Sequence, residues 1–279
     1  VETIADHAYM PDEHAPDPVM GHGDPTAPGK IGIWLFLASE IMFFIGILGS
    51  YIVLRSASHE MFSKMAQVLN KTLAGTNTLV LILSSLTMAL AVDAAQNNKA
   101  KKAAGMLFIT FLCSCGFMVI KGIEYNDKWH HNTIVARESG PTGAIYVYDG
   151  HVLSEDATTI ELNGYRKTLV PGMAFDIHLI APADVKTTDD QEETVFKIPI
   201  DTVSERINYF PWKNMFFACY FTLTGVHGIH VLGGMIAIFL LLAQALRGKL
   251  FPAQTEYVGL YWHFVDLVWI FLFPLLYLI

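Results

Sequence analysis

The stretch IGIWLFLASEIMFFIGILGSYIVL, Ile31–Leu54, carries a single charged residue, Glu40. A run of this length and composition is long enough to cross the hydrocarbon core of a bilayer, which takes about 20 apolar residues as a helix. Four more such blocks follow, at Leu73–Val92, Ala103–Ile123, Met215–Leu246 and Tyr257–Ile279. The overall composition of the 279 residues agrees: 53% hydrophobic with only 16% charged lies outside the range of soluble domains, and it excludes a disordered or nucleic-acid-binding chain. The sequence predicts an all-α integral membrane bundle of five transmembrane helices. Five crossings put the two termini on opposite sides.

The charges divide the chain into parts. Residues 1–29 form a proline-containing tail with six acidic residues and no Lys or Arg, and it lacks the basic start of a cleavable signal peptide. Residues 30–125 hold the first three helices, 126–208 an extramembrane insert with fourteen acidic against seven basic residues, and 209–279 the last two helices. Both extramembrane parts are acidic, which disfavours nucleic acid and anionic headgroups and permits a basic protein partner. Lys99, Lys101 and Lys102 in the second loop, with Arg247 and Lys249 in the fourth, assign those loops and the tail to the cytoplasmic side; Arg55, Lys64 and Lys71 in the first loop count against it. This orientation puts the insert and the C-terminus on the outer face.

The insert has a different periodicity. Asp149-Gly150 lies between Ala144–Tyr148 and His151–Leu153, and Asn163-Gly164 between Thr159–Leu162 and Tyr165–Leu169. Each is a two-residue hairpin signal flanked by β-formers, so a small β-rich lobe with turns at those dipeptides is expected. Thr187–Glu193, rich in acidic residues, reads as a solvated loop within it. Cys113 and Cys115 are about 200° apart around a helix and cannot converge on one metal; with Cys219 they read as packing residues.

Any chemistry must lie in the ionisable groups within the membrane, because burying them there is costly. Glu40 falls near the bilayer midplane, His227 and His230 share a face of the fourth helix, and His263 and Asp266 share a face of the fifth. Convergence in one polar cluster is the expectation. Three readings of it stand: haem or metal ligands with Asp266 orienting His263, a proton relay, or hydrogen bonding from helix to helix and to neighbouring subunits, the last being what polar groups in bundles usually do. Thr224, Gly225, Gly228, Gly233 and Gly234 give the fourth helix a small face for close packing. Trp34, Trp129, Trp212, Trp262 and Trp269 read mostly as interfacial anchors.

Four segments carry a resemblance. Ser39-Glu40-Ile41-Met42-Phe43-Phe44, Gly225-Val226-His227-Gly228-Ile229-His230-Val231 and Tyr261-Trp262-His263-Phe264-Val265-Asp266-Leu267-Val268-Trp269, with the shorter Gly122-Ile123-Glu124-Tyr125, resemble the signature segments of subunit III of haem-copper oxidases such as cytochrome c oxidase. The resemblance covers all five helices. It implies a non-catalytic subunit of a proton-pumping respiratory oxidase that reduces oxygen to water, with no redox centre or other cofactor of its own, haems and copper in partner subunits, and phospholipid held between its helices. Subunit I and subunit II are the implied partners, in a bacterial cytoplasmic membrane.

The resemblance further implies that Glu40 is the midplane carboxyl that reacts with carbodiimides and that His227, His230, His263 and Asp266 form the polar interior. The family's lipid-anchoring basic residue falls at Gln244, so Arg247 and Lys249 are the candidate lipid-binding residues here. Seven-helix members have two helices before the glutamate-bearing one where this sequence has the tail, so the lipid cleft is expected to be incomplete or to be completed by another subunit. The β-rich insert is outside the common pattern; its acidity suits a contact with a respiratory subunit or a cytochrome c donor. Subunit III-like partners of quinol oxidases and nitric oxide reductases fit the same segments, and a free-standing proton pathway or an assembly factor is the alternative of another class.

Overall fold

The computed structural model describes residues 28–137, 145–169, 194–209, 214–249 and 251–278. Among these described residues, five helices are long and apolar enough to cross a membrane. They are α1 (Pro28–Ala57), α3 (Lys71–Gln96), α4 (Ala100–His130), α5 (Met215–Leu246) and α6 (Pro252–Phe273), the last extended by a π-helical turn over Pro274–Leu278. A short α2 (His59–Ala66), which the hydropathy pattern did not announce, follows α1. The Thr187–Glu193 loop, Trp212 and the N-terminal tail lie outside the described residues.

Helix ends are set by local chemistry. The Asn70 side chain accepts from the Leu73 amide at 3.0 Å, and Asn214 from the Phe216 amide at 2.8 Å, each satisfying an otherwise unpaired N–H of a first turn. Pro252 opens α6, where its missing N–H costs nothing. Gly248, at φ +73°, terminates α5.

Helices α3, α4, α5 and α6 pack in a ring, α3 against α4 and α6, and α5 against α4 and α6; α1 lies outside the ring, against α6 and α5. Two contacts fix α1 at its ends. Lys30 pairs with Glu256 at 3.0 Å, and at the other end Tyr51 and Arg55 donate to the Leu275 carbonyl at 2.9 and 3.0 Å. Arg55 is buried, so it is a cap for the end of α6 rather than a free surface charge.

Two of the tryptophans expected at the interface are in the core. Trp262 and Trp269 are fully buried, and their indole N–H groups donate across to Ser84 (3.1 Å) and Thr78 (3.0 Å) on α3. An indole fits inside because a hydroxyl one helix away satisfies its donor. Gly234 makes room for one of them, since a Cβ there would stand 2.7 Å from the Trp262 ring. Trp34 and Trp129 are exposed.

The inserted lobe is a five-stranded antiparallel sheet. Its strands are β1 (His131–Arg137), β2 (Ile145–Glu155), β3 (Thr159–Leu169), β4 (Thr194–Pro199) and β5 (Val203–Asn208), in the order β4-β3-β2-β1-β5. The hairpin turns expected at Asp149-Gly150 and Asn163-Gly164 are not there. Both dipeptides sit in mid-strand, with Gly150 opposite Gly164, and the chain reverses at Asp156–Thr158 instead. A Cβ on Gly150 would stand 2.2 Å from the Asn163 carbonyl oxygen, so these glycines serve a close approach of two strands. One face buries Ile134, Ala136, Ile160, Leu162 and Ile198.

The lobe is joined to the bundle without a linker, because α4 runs directly into β1. Tyr209 is buried at the junction, its ring 5.1 Å from both His131 and Phe217, and its hydroxyl 2.8 Å from that of Thr133. Burial, reinforced by Asp149, pushes the Tyr209 phenol up, which keeps it protonated. Thr133 donates in turn to Asp149 at 2.6 Å.

Candidate functional site: polar groups within the bundle

The five side chains expected in one polar cluster occupy three separate places. Glu40 and His230 meet: Oε2 of Glu40 is 2.9 Å from Nε2 of His230, and the two side chains keep 20% and 16% exposure. The other ring nitrogen, Nδ1, is 2.8 Å from the Val226 carbonyl oxygen. A carbonyl only accepts, so this contact assigns a proton to Nδ1. Nε2 is then an acceptor in the neutral ring, and the bond to Glu40 needs one further proton between the two groups. The pair is either carboxylic acid with imidazole or carboxylate with imidazolium, and it is neutral overall in both forms. Phe44 stands edge-on to the imidazole at 5.0 Å, and the Tyr261 hydroxyl donates to the His230 carbonyl at 3.0 Å.

His227, one turn earlier on α5, is fully buried between Trp269 (5.2 Å between ring centroids) and Phe117 (5.7 Å), and neither ring nitrogen has a hydrogen-bond partner. His263 and Asp266 belong to a third place. Nδ1 of His263 is 2.7 Å from the Ser85 hydroxyl on α3, and both residues line a groove of about 370 Å³ between α3 and α6. Asp266 is buried to 3% exposure. Ser84 and Ser85 lie near it, yet neither carboxylate oxygen has a partner in hydrogen-bonding geometry.

A fourth polar site had no place in the sequence reading. The Lys121 ammonium donates to Glu124 Oε2 and to the Tyr277 hydroxyl, both at 2.7 Å, and Tyr277 donates to Glu124 Oε1 at 2.6 Å. Tyr220 joins through its hydroxyl, 3.1 Å from that of Tyr277, and the ammonium sits 4.4 Å from the centre of the Trp269 ring. All five residues are buried. The sequence signal was the spacing Lys-x-x-Glu, but neither charge was among the ionisable groups expected inside the bundle. Helix α4 continues to His130 and its packing against α5 and α6 encloses them.

Arg247 and Lys249, the candidate lipid residues, are exposed at the end of α5. Beside them a groove of about 690 Å³ runs between the start of α4 and the end of α5, with Lys101 at its rim and Ala104, Phe108 and Leu242 along it. Among the described residues, no three His, Cys, Asp or Glu side chains come together in a way that could hold a metal ion.

Residues 208–279, which carry α5 and α6, match the family model described as cytochrome c oxidase subunit III. Over longer spans the chain is similar to the probable cytochrome c oxidase subunit 3 of Nocardia farcinica (strain IFM 10152), 27% identical over 253 residues, 90% of this chain and 87% of that protein. It is similar to the cytochrome c oxidase subunit 3 of Bacillus sp. (strain PS3), 25% identical over 278 residues, 95% of this chain and 97% of that one. The quinol oxidase subunit 3 of Bacillus subtilis (strain 168) is 25% identical over 272 residues, 92% and 95% of the two chains. With relatives of this kind along nearly its whole length and the family match on its last two helices, the chain is similar to subunit 3 of cytochrome c oxidases and quinol oxidases.

Proposed function

We propose that the chain is the non-catalytic subunit III of a proton-pumping oxidase in a bacterial cytoplasmic membrane, where it supports assembly, holds phospholipid and sustains proton uptake while partner subunits carry out the redox chemistry. Haems and copper in those subunits would reduce oxygen to water; this chain would bind none. The two imidazoles that sequence spacing places on one face of α5 have separate occupations, His230 with Glu40 and His227 between two aromatic rings.

The observation that carries the reading is the Glu40–His230 pair. It is a neutral couple near the middle of the membrane that holds one exchangeable proton between two titratable groups and stays partly open on the side of α1. Such a couple can pass a proton without placing a net charge in hydrocarbon, which is the costly alternative. Cytochrome c is the proposed donor, and the acidic lobe suits a basic one; a quinol is the second reading, favoured by the Bacillus subtilis relative. The burial of Arg55 removes one of the three basic residues that argued against a cytoplasmic tail and outer lobe, and so supports that orientation.

The test is Glu40→Gln in the purified complex. Glutamine keeps a hydrogen-bond donor toward His230 but has no proton to exchange. The subunit composition and the initial rate of oxygen consumption should match the parent within about twofold. Carbodiimide labelling of this chain should vanish, and the number of turnovers before inactivation should fall severalfold. Complete loss of the initial rate with normal composition would overturn the accessory role.

A further inference from the structure

The groove between α3 and α6 contains a buried acid, beside Ser84 and Ser85, whose carboxylate oxygens have no partner in hydrogen-bonding geometry among the described residues. Its floor is Asp266, 3% exposed, with both carboxylate oxygens unpartnered. Ser85 and His263 line the same groove, with the Ser85 hydroxyl 2.7 Å from Nδ1 of His263. Protonation does not remove the deficit. A neutral carboxylic acid still offers one donor and one acceptor that hydrocarbon cannot meet.

Depth excludes a phospholipid as the source of the missing partner. Asp266 lies about 14 residues from Pro252 and about 12 from Leu278, or roughly 21 and 18 Å along the helix at 1.5 Å per residue. Both distances exceed half of the ~30 Å hydrocarbon thickness, so an acyl chain there presents only methylene and methyl groups. The shape of the groove points to its occupant. Ile82, Leu86 and Ala89 form an i, i+4, i+7 ridge on α3, and His263, Leu267 and Ile270 form one with the same spacing on α6. Ile82, Leu86, Leu267 and Ile270 are each 47–57% exposed, so the ridges stand free on either side of a trough about two helical turns long. Two such ridges are what a third helix packs between.

We propose that this trough seats a transmembrane helix of another oxidase subunit, whose hydrogen-bond donor side chain at mid-bilayer depth bonds the Asp266 carboxyl. A spanning helix holds its donor at one depth because its ends are fixed at the two interfaces. The apolar ridges supply the close contact on which helix association in lipid depends, and the buried bond supplies the register. This rests on the reading of the chain as a subunit of an oxidase.

The experiment places the photoreactive residue p-benzoylphenylalanine at Leu267, and in a second variant at Leu86, in the complex purified from membranes. Irradiation should yield an adduct with a polypeptide of the oxidase at both positions. Asp266→Leu should lower that adduct at least tenfold, and Asp266→Asn, which keeps a donor and an acceptor, should preserve most of it. The Leu267 and Leu86 probes with Asp266 intact stand by themselves if Asp266→Leu fails to fold. Adducts with phospholipid alone, or with a small lipid-soluble compound, would overturn the proposal while leaving the oxidase reading in place, as would a polypeptide adduct indifferent to Asp266→Leu. Recovery of the intact chain from membranes with no oxidase subunit would overturn both.

Discussion

The buried network on α4 allows the cost of disturbing it to be worked out. Glu124→Leu leaves the Lys121 ammonium, 6% exposed, with the Tyr277 hydroxyl and aromatic faces as its only remaining company within this network. Breaking a buried ion pair from one side costs about 3–5 kcal/mol, because the surviving charge is stranded. Lys121→Met should lie toward the upper end of that range, since it also removes an ammonium 4.4 Å from the Trp269 ring, a contact worth up to about 2 kcal/mol when desolvated. Replacing both partners with apolar residues strands no charge, and the double variant should cost only about 1–2 kcal/mol, mostly the hydrogen bonds lost by Tyr277. At about 2–4 °C per kcal/mol for a chain of this order of size, each single variant should melt roughly 6–20 °C below the parent, and the double variant within about 8 °C of it. Thermal unfolding of the purified protein in detergent, followed by tryptophan fluorescence, reads all four members of the cycle. Single shifts under about 2 °C, or a double variant that melts at the sum of the two singles, would refute the reasoning: the pair would then be hydrated or unformed.

Two other outcomes follow from particular contacts. Gly150→Ala forces β2 and β3 apart at a point where 2.2 Å is available to a Cβ, so the lobe should lose about 1–3 kcal/mol and become cleavable by protease at lower denaturant, with the helices unaffected. Arg247→Ala should lower the phospholipid retained by the purified complex and hasten inactivation during turnover, through loss of a charge-assisted bond to phosphate at the exposed end of α5; unchanged lipid content by mass spectrometry would exclude Arg247 from lipid binding.

The membrane helices were legible because the bilayer imposes length and composition together, and no tertiary contact is needed to read Ile31–Leu54 as a span. The lobe was legible as β-rich for a similar local reason, the alternation of Thr159–Leu162 and Tyr165–Leu169. Its turns were not. Asp-Gly and Asn-Gly are strong hairpin signals, but Gly150 and Gly164 are required by each other across 150 and 164 in the sheet, and that pairing has no local trace. The candidate site divided for an analogous reason. Spacing of three residues places His227 and His230 within about 60° on α5, yet that angle is enough for one ring to turn to Glu40 on α1 and the other into the aromatic interior. Trp262 and Trp269 were misplaced because the hydroxyls that admit them, Ser84 and Thr78, are far away in sequence.

The attachment of α1 joins these observations. Only 11% of its most apolar window is buried, against 44% for the last span, so it has the least internal packing of the five. In lipid, apolar surface supplies little drive for one helix to join another, and packing and polar bonds decide. Helix α1 is held by polar contacts at three heights: Lys30 to Glu256 at one end, Glu40 to His230 in the middle, and Tyr51 and Arg55 to the Leu275 carbonyl at the other end. The end contacts fix its height, one of them the partly exposed Lys30–Glu256 pair and the other the buried Tyr51 and Arg55. The middle one lies where no solvent competes, so it sets how closely α1 approaches α5. The same bond that holds a proton between Glu40 and His230 therefore also closes the gap between these helices. Under the proposed function, exchange of that proton and the position of α1 would be coupled through one hydrogen bond, so glutamine, able to donate to Nε2, should separate the two roles and leucine at position 40 should abolish both.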